Sequence, residues 1–298
     1  MTQTKSSDLY DPEVWADLAA AQFTKKAVVG TSSAVLSSGE LTGVPGSTVK
    51  FPSWMTLSDL DDLTEGTSMT PVKLTQKNSE ATVKEAGKAV EITDTADLNG
   101  LGNPQDEAIR QFGVLAARKV DADLITVATT KVTGGITYAD GSTATDSACL
   151  AYTAGTTTAA ADLSWDVIAE ALEKFGDDFE PEDFTGLFIN SAQRTQAWKD
   201  DQFIAASELS AAGASSVVAR GVIGAIAGLP VIVTDRVTSG KPVVLKKQSL
   251  GLLYKRRPIV EQDRDILART NVVTTNLHYA VKRLNDAGVL QIDLTKQA

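Results

Sequence analysis

The sequence predicts an α+β fold built around one long helix and a strongly alternating C-terminal strand. Three observations carry this. Asn103-Pro104 opens an amphipathic helix of about 25 residues, roughly 38 Å at the usual rise per residue. Val273, Thr275, Leu277, Tyr279 and Val281 share one face of a strand, with Asn276, His278 and Lys282 on the other. The helical and strand-like pieces come in mixed order, not the regular β-α-β-α of a doubly wound sheet.

The elements follow in turn. Asp11-Pro12-Glu13 supplies an N-cap, a proline at the first helical position and an acid in the first turn, so a helix is expected from there to Lys25-Lys26. The Ser-, Thr- and Gly-rich stretch from Gly30 to Pro45 reads as a connector. Val49 and Phe51 alternate with Lys50, a half-buried strand. A polar, acidic excursion follows from Ser53 to Asn78, and a second limb returns over Ala81 to Ile92. That limb places Ala86, Lys88, Val90 and Ile92 on one face, and Gly87 would permit a bulge. An excursion this long is uncommon in a compact domain unless it is functional. On the long helix, Ile109, Phe112, Leu115/Ala116, Val120, Leu124 and Val127 recur at helical spacing.

Residues 133–161 are weakly patterned and predict loop with short strands. Ser164 caps a helix through Phe175 that ends at Gly176, with Glu170 and Lys174 spaced to pair. Strands are expected at Gly186–Asn190, Val231–Val233, Val243–Leu245 and Leu250–Tyr254, with a short helix near Gln193–Lys199. After the last alternating strand, Asn285 to Gly288 makes a turn and Leu290, Ile292 and Leu294 return.

Composition narrows the function. The chain has 298 residues, a net charge of −10, one cysteine (Cys149) and one histidine (His278). A single cysteine excludes an intrachain disulfide framework, and a single histidine argues against a histidine-based metal site. The acidic balance argues against a broad nucleic-acid-binding surface. The longest apolar run, Val222–Val233, is too short and too broken by Gly224, Gly228 and Pro230 to cross a bilayer. No apolar stretch marks Met1–Asp11 as a signal peptide, so the chain is expected to stay where it is made.

Catalytic motifs are not found. Gly221, Gly224 and Gly228 lack dinucleotide-binding spacing and precede a strand. A triad would have to use mid-strand His278, and nothing around Cys149 supplies a base or a positive setting. Asp59, Asp61, Asp62 and Glu65 lack calcium-loop spacing and read as a solvated loop tip. The run Asp177, Asp178, Glu180, Glu182 and Asp183 reads the same way. Lys246, Lys247, Lys255, Arg256 and Arg257 form the one basic cluster, and their acidic neighbours Glu261, Asp263 and Asp265 favour charge pairing between subunits. No catalytic residue, cofactor or metal is assigned, and the chain is not expected to be an enzyme.

The ordered set of pieces resembles the major capsid proteins of tailed bacteriophages with the Hong Kong 97-like fold. The residues that carry the likeness are Pro12-Glu13-Val14-Trp15, Leu63-Thr64-Glu65-Gly66-Thr67, and Gly87-Lys88-Ala89-Val90-Glu91-Ile92-Thr93-Asp94. They continue with Asn103-Pro104, Gly221-Val222-Ile223-Gly224, Leu229-Pro230-Val231, Tyr279-Ala280-Val281-Lys282 and Gly288-Val289. The resemblance implies an N-terminal arm at 1–46 and an extended loop at 47–92. It implies a spine helix with a peripheral domain at 93–159, an axial domain at 160–245, and a return to peripheral strands at 246–298. It also implies a coat protein that assembles as hexamers and pentamers into an icosahedral shell around double-stranded DNA, bound without sequence specificity. Assembly would take place in the host cytoplasm and the product would be the virion capsid. A separate scaffolding protein, a portal and a decoration protein are the implied partners, and no membrane is involved. The candidate inter-subunit contacts are Asp59, Asp61, Asp62, Glu65, Lys73, Lys77, Arg256 and Arg257. An encapsulin-like shell of a cellular protein compartment is the alternative, with an enzyme of unrecognised site behind it.

Overall fold

The computed structural model describes residues 27–37, 46–54, 62, 68–69, 71–99, 103–133, 136–138, 146–155, 160–197, 199 and 222–295. The expected arm helix from Asp11 to Lys26 lies outside them, as do Asp59, Asp61 and Glu65.

The chain begins with β1 (Val35–Leu36), β2 (Thr48–Trp54), β3 (Gln76–Thr82) and β4 (Lys84–Thr93), followed by a short helix, Asp94–Asn99, and the long helix, Pro104–Thr129. Four short strands come next: β5 (Val132–Thr133), β6 (Ile136–Tyr138), β7 (Asp146–Ser147) and β8 (Leu150–Thr153). The helix Trp165–Leu172, β9 (Phe184–Ile189), the helix Ser191–Ala197, β10 (Val222–Ile226), β11 (Leu229–Val233) and β12 (Val243–Lys246) lead to the last strands. These are β13 (Leu250–Asp265), β14 (Thr270–Arg283) and β15 (Val289–Asp293).

Two sheets dominate. One runs β1-β13-β14-β4, with only the β1–β13 pair parallel. The other runs β10-β11-β9-β12-β15-β8 and mixes parallel and antiparallel pairs. A three-stranded sheet, β2-β3-β6, and the β5-β7 pair complete the set.

The long helix forms as its sequence requires. The Asn103 side chain accepts from the Gln105 and Asp106 N–H groups, and Pro104 occupies the first turn, where its missing donor costs nothing. Its apolar stripe lies on the four-stranded sheet: Ile109 and Phe112 pack with Ile92, Val260 and Val273. Val120 and Leu124 pack with Leu252, Leu277, Tyr279 and Val281, and the same cluster takes in Phe188, Val243, Leu245 and Val289 of the six-stranded sheet. The C-terminal half of the helix therefore joins the two sheets. Arg283 closes that end: its Nη1 donates to the Ala128 and Thr130 carbonyls at 2.8 and 2.9 Å, and its Nε donates to Asp286. A cation at a helix C-terminus answers the unpaired carbonyls and the macrodipole together. Leu115 departs from the expected stripe and is exposed, with Ala116 facing inward instead.

Several expectations need correction. The turn after β14 does not fold β15 back along it; β15 crosses to the six-stranded sheet and pairs with β12 and β8. That sheet thus draws strands from 150–153 and 289–293 as well as from 184–246. β13 runs to Asp265, far beyond Tyr254, because β14 gives it a partner along its length. Gly87 makes no bulge: its pairing with Asn276 is in register, and a Cβ there would stand 2.7 Å from the Thr275 carbonyl oxygen, so the residue serves close strand approach. Glu170 accepts from the Tyr152 hydroxyl instead of pairing with Lys174.

Candidate assembly surfaces

The hairpin is built on a fixed root. β2 and β3 pair from Thr48↔Thr82 to Trp54↔Gln76, and β6 adds to the outer edge of β3. Val83 interrupts the return limb; its N–H donates to the Ser47 carbonyl at 2.8 Å, and the chain then enters the four-stranded sheet as β4. Val49, Phe51 and Ala81 pack on Leu253 and Ala280, which belong to β13 and β14. Those two point away from the long helix, since Leu252, Tyr279 and Val281 alternate with them toward it. Gly251 makes room for this docking: a Cβ there would lie 2.8 Å from the Phe51 ring. Lysines hold both entry points of the root. Lys255 Nζ donates to the Gly46 carbonyl, and Lys84 Nζ lies 3.8 Å from Asp123 on the long helix.

Residues 55–75 lie in sequence between β2 and β3. Met69, Val72 and Leu74 are exposed, Met69 by 72%. Of the sequence-predicted contact residues, Asp62 and Lys73 are exposed within this stretch, and the Lys77 backbone pairs with Ser53 and Tyr138. Arg256 and Arg257 are exposed on β13, where Arg256 pairs with Glu261 at 3.3 Å. Among the described residues no ion pair joins Asp62 or Lys73 to Arg256 or Arg257. The basic cluster is dispersed: Lys246 donates to the Asp178 carbonyl and lies over the Phe175 and Phe184 rings, 5.3 and 5.1 Å from their centres.

The polar groups inside are structural. Asp121 accepts from the Val28, Val29 and Gly30 N–H groups at 2.8, 3.2 and 2.8 Å, pinning the connector to the long helix. Burial pushes its carboxyl up against the pull of those three donors. For Asp123, burial also pushes up, but the Tyr279 hydroxyl at 2.6 Å and the Lys119 ammonium at 3.0 Å prevail and hold the carboxyl below its ordinary value. Burial pushes the Cys149 thiol up, the wrong direction for a nucleophile. His278 Nε2 lies 3.6 Å from Glu85 in mid-sheet. Among the described residues no cluster of histidine, cysteine, aspartate and glutamate could hold a metal ion. No described helix is long and apolar enough to cross a membrane.

Residues 76–292 match the family model described as phage capsid protein, a span from the first residue of β3 into β15. The chain belongs to that family. It is similar to the major capsid protein of Staphylococcus phage phiMR11, 28% identical over 295 residues that cover 97% of this chain and 95% of that one. Solved phage capsids share its fold. The capsid of cyanophage P-SCSP1u superposes with a TM-score of 0.64 at 14% identity, over 99% of this chain and 93% of the other. The capsid of Ralstonia phage GP4 also gives 0.64, at 13% identity, over 93% and 91%. The fold is thus an α+β capsid fold, and the likenesses favour a phage coat protein over a cellular-compartment shell.

Sequence reasoning missed two features of this surface. It did not place Asp121 and Asp123 on the inner side of the helix; their proximity to Val120 and Leu124 was the available signal. It also passed over Ile266 and Leu267, exposed at the turn between β13 and β14, because an apolar pair in a charged stretch carries no period.

Proposed function

We propose that the chain is the major coat subunit of a tailed phage, with a Hong Kong 97-like division into arm, extended loop, spine helix, peripheral domain and axial domain. The arm is 1–46, the loop 47–92, the spine and peripheral domain 93–159, the axial domain 160–245 and the peripheral return 246–298. In this reading β8 and β15 lend their edges to the axial sheet. The subunits assemble as hexamers and pentamers into an icosahedral shell that encloses double-stranded DNA without reading its sequence. Assembly takes place in the host cytoplasm, with separate scaffolding, portal and decoration proteins as partners.

The observation that carries the reading is the rooted hairpin. Its base is docked on the sheet through Phe51 and Gly251, while Met69, Val72 and Leu74 beyond the base bury little in their own chain. An apolar stretch on a fixed base suits a neighbour's surface. Asp59, Asp61, Asp62, Glu65, Lys73 and Lys77 provide the charges around it, and Arg256 and Arg257 provide a countercharge on the neighbour. A shell needs each such contact to be only modest, because neighbours held in place raise the effective concentration of the rest.

Deleting residues 56–75 tests this directly. The truncated chain should stay folded by circular dichroism and yield no closed shells by electron microscopy. Shells of normal form from that chain would remove the extended loop from the account.

A further inference from the structure

We propose that Lys282 is a latch on the β2–β3 hairpin: its charge, covered when the root docks on the sheet, keeps that docking weak, and loss of the charge fastens the root. The latch adds a control to the loop of the coat-subunit reading and rests on that reading only for its use in assembly. Lys282 is 8% exposed, although it is a lysine on the sheet face turned away from the long helix. The hairpin covers it. Ala280, two residues earlier on β14 and so on the same face, packs on Val49, Phe51 and Ala81. Lys282 itself pairs across the sheet with Gly251, where the Phe51 ring takes the space of a side chain. Ser79 stands opposite Phe51 in the hairpin and faces the same seam.

The polar groups of this seam are not answered within the chain. Among the described residues Lys282 makes no hydrogen bond and no ion pair. Ser79 is 6% exposed, and its Oγ has no hydrogen-bond partner. A covered charge without a partner is far more costly than a paired one, and a covered hydroxyl adds a smaller cost of the same kind. The charged groups around Lys282 are Glu80 on β3, with Arg283 and Asp286 at the end of β14. Glu80 is engaged by Lys50 at 3.3 Å and Asp286 by Arg283 at 2.7 Å, while Lys255 at the hairpin's entry donates to the Gly46 carbonyl. Burial, first, and then Arg283 push the Lys282 ammonium below its ordinary value, and Asp286 and Glu80 oppose them without prevailing.

Lifting the root returns the ammonium to water. Docking it uncharged leaves an apolar stem against Phe51. Neither of the two large core clusters includes a hairpin residue, so the root can lift while both sheets stay packed. Because the folded value lies below the unfolded 10.5, the uncovered lysine holds its proton more tightly than the covered one. Docking therefore strengthens as pH rises through the folded value toward 10.5.

Trypsin cleavage after Lys50 tests the latch on the full, unassembled chain. Divided by the rate for an unfolded peptide of the same sequence in the same buffer, it measures how often the root lifts. At pH 7.5 Lys282→Met, which keeps the stem and removes the charge, should be cut at least tenfold more slowly than the unaltered chain. The gap should shrink as pH rises to 10. Lys282→Arg, which keeps its charge throughout, should be cut at least as fast as the unaltered chain at both pH values. Equal cleavage of the methionine variant and the unaltered chain at pH 7.5 would overturn the proposal. So would a gap that is the same at pH 10, since packing and not charge would then fasten the root, or an arginine variant fastened at pH 10. These results leave the coat-subunit reading standing, whereas absence of shells from the unaltered chain would sink that reading and leave the latch intact.

Discussion

The six-stranded sheet and the β2–β3 hairpin use the same alternation of side chains for opposite ends. In the sheet both faces are buried. Leu187, Ile189 and Val244 point to one side, toward Ile168 and Leu172, while Phe188, Val243 and Leu245 point to the other, toward the long helix. In the hairpin, among the described residues, the buried apolar side chains are Val49, Phe51 and Ala81, at the root. The opposite face carries the exposed pair Lys50–Glu80, and past the root Met69, Val72 and Leu74 face outward. The subunit's own stability therefore belongs to its two sheets and the helix between them. The apolar residues of the extremities add little to that stability and are available to a neighbour.

The largest expected effect lies in the sheet. Phe188 is fully buried where the long helix meets both sheets. Phe188→Ala should cost about 3–5 kcal/mol, enough to unfold a marginal subunit. Urea unfolding of unassembled protein would measure it, beside the 56–75 deletion, which should hardly move the midpoint. Comparable losses from the two changes would break the division between stability and assembly.

Most of the sheet region was legible in the sequence, for physical reasons. β14 announced itself because Val273, Leu277, Tyr279 and Val281, with Thr275 among them, occupy every second position on one buried face. The long helix announced itself through Asn103, Pro104 and a stripe at helical spacing. The crossing of β15 was not legible: a turn at Asn285–Gly288 looks the same whether the next strand returns or moves to another sheet. Nor was the outer half of β13, where residues 255–265 are mostly charged and owe their extended form to pairing with β14. The assembly surface was legible only in part. The length of the excursion pointed to the hairpin, but Gly251 as the place where Phe51 docks depends on two strands distant in sequence.

That docking gives the intermediate effect. In Gly251→Val the new side chain would overlap the Phe51 ring and crowd Leu284, whose Cδ atoms lie 3.2 and 3.3 Å from the Cβ position. Overpacking of this kind costs roughly 1–3 kcal/mol. The relief available is for the hairpin to lift from the sheet, since the helix side of β13 is untouched. The variant should unfold cooperatively, become more protease-sensitive near Thr48 and Thr82, and close shells poorly. Unaltered shells would mean that the angle of the hairpin does not matter to assembly.

The smallest effect concerns pH and separates two carboxylates on the same helix. Asp123 is held below its ordinary value: burial opposes this, but the Tyr279 hydroxyl, Lys119 and Lys84 outweigh it. Its contribution to stability is complete above the unfolded value of 3.8 and is lost as pH falls through the lower folded value. Asp293 behaves alike, burial there being outweighed by Thr295 and Lys241. Asp121 runs the other way: burial raises it, so stability declines as pH climbs from the unfolded value through the folded one. Both lysines beside Asp123 are about half exposed, so their attraction is worth only about 0.5 kcal/mol. Asp123→Asn keeps an acceptor for Tyr279 and removes the charge. It should therefore shrink the acid-side loss of stability, leaving the parts due to Asp293, Glu107 and Asp235, whose carboxyls are also held low, with little change at neutral pH. Urea midpoints between pH 2.5 and 7, followed for the unaltered chain and for Asp123→Asn, would measure the difference. An undiminished acid-side loss in the variant would show that Asp123 is not braced by its cations, and that the link from the hairpin root through Lys84 to the helix carries no free energy.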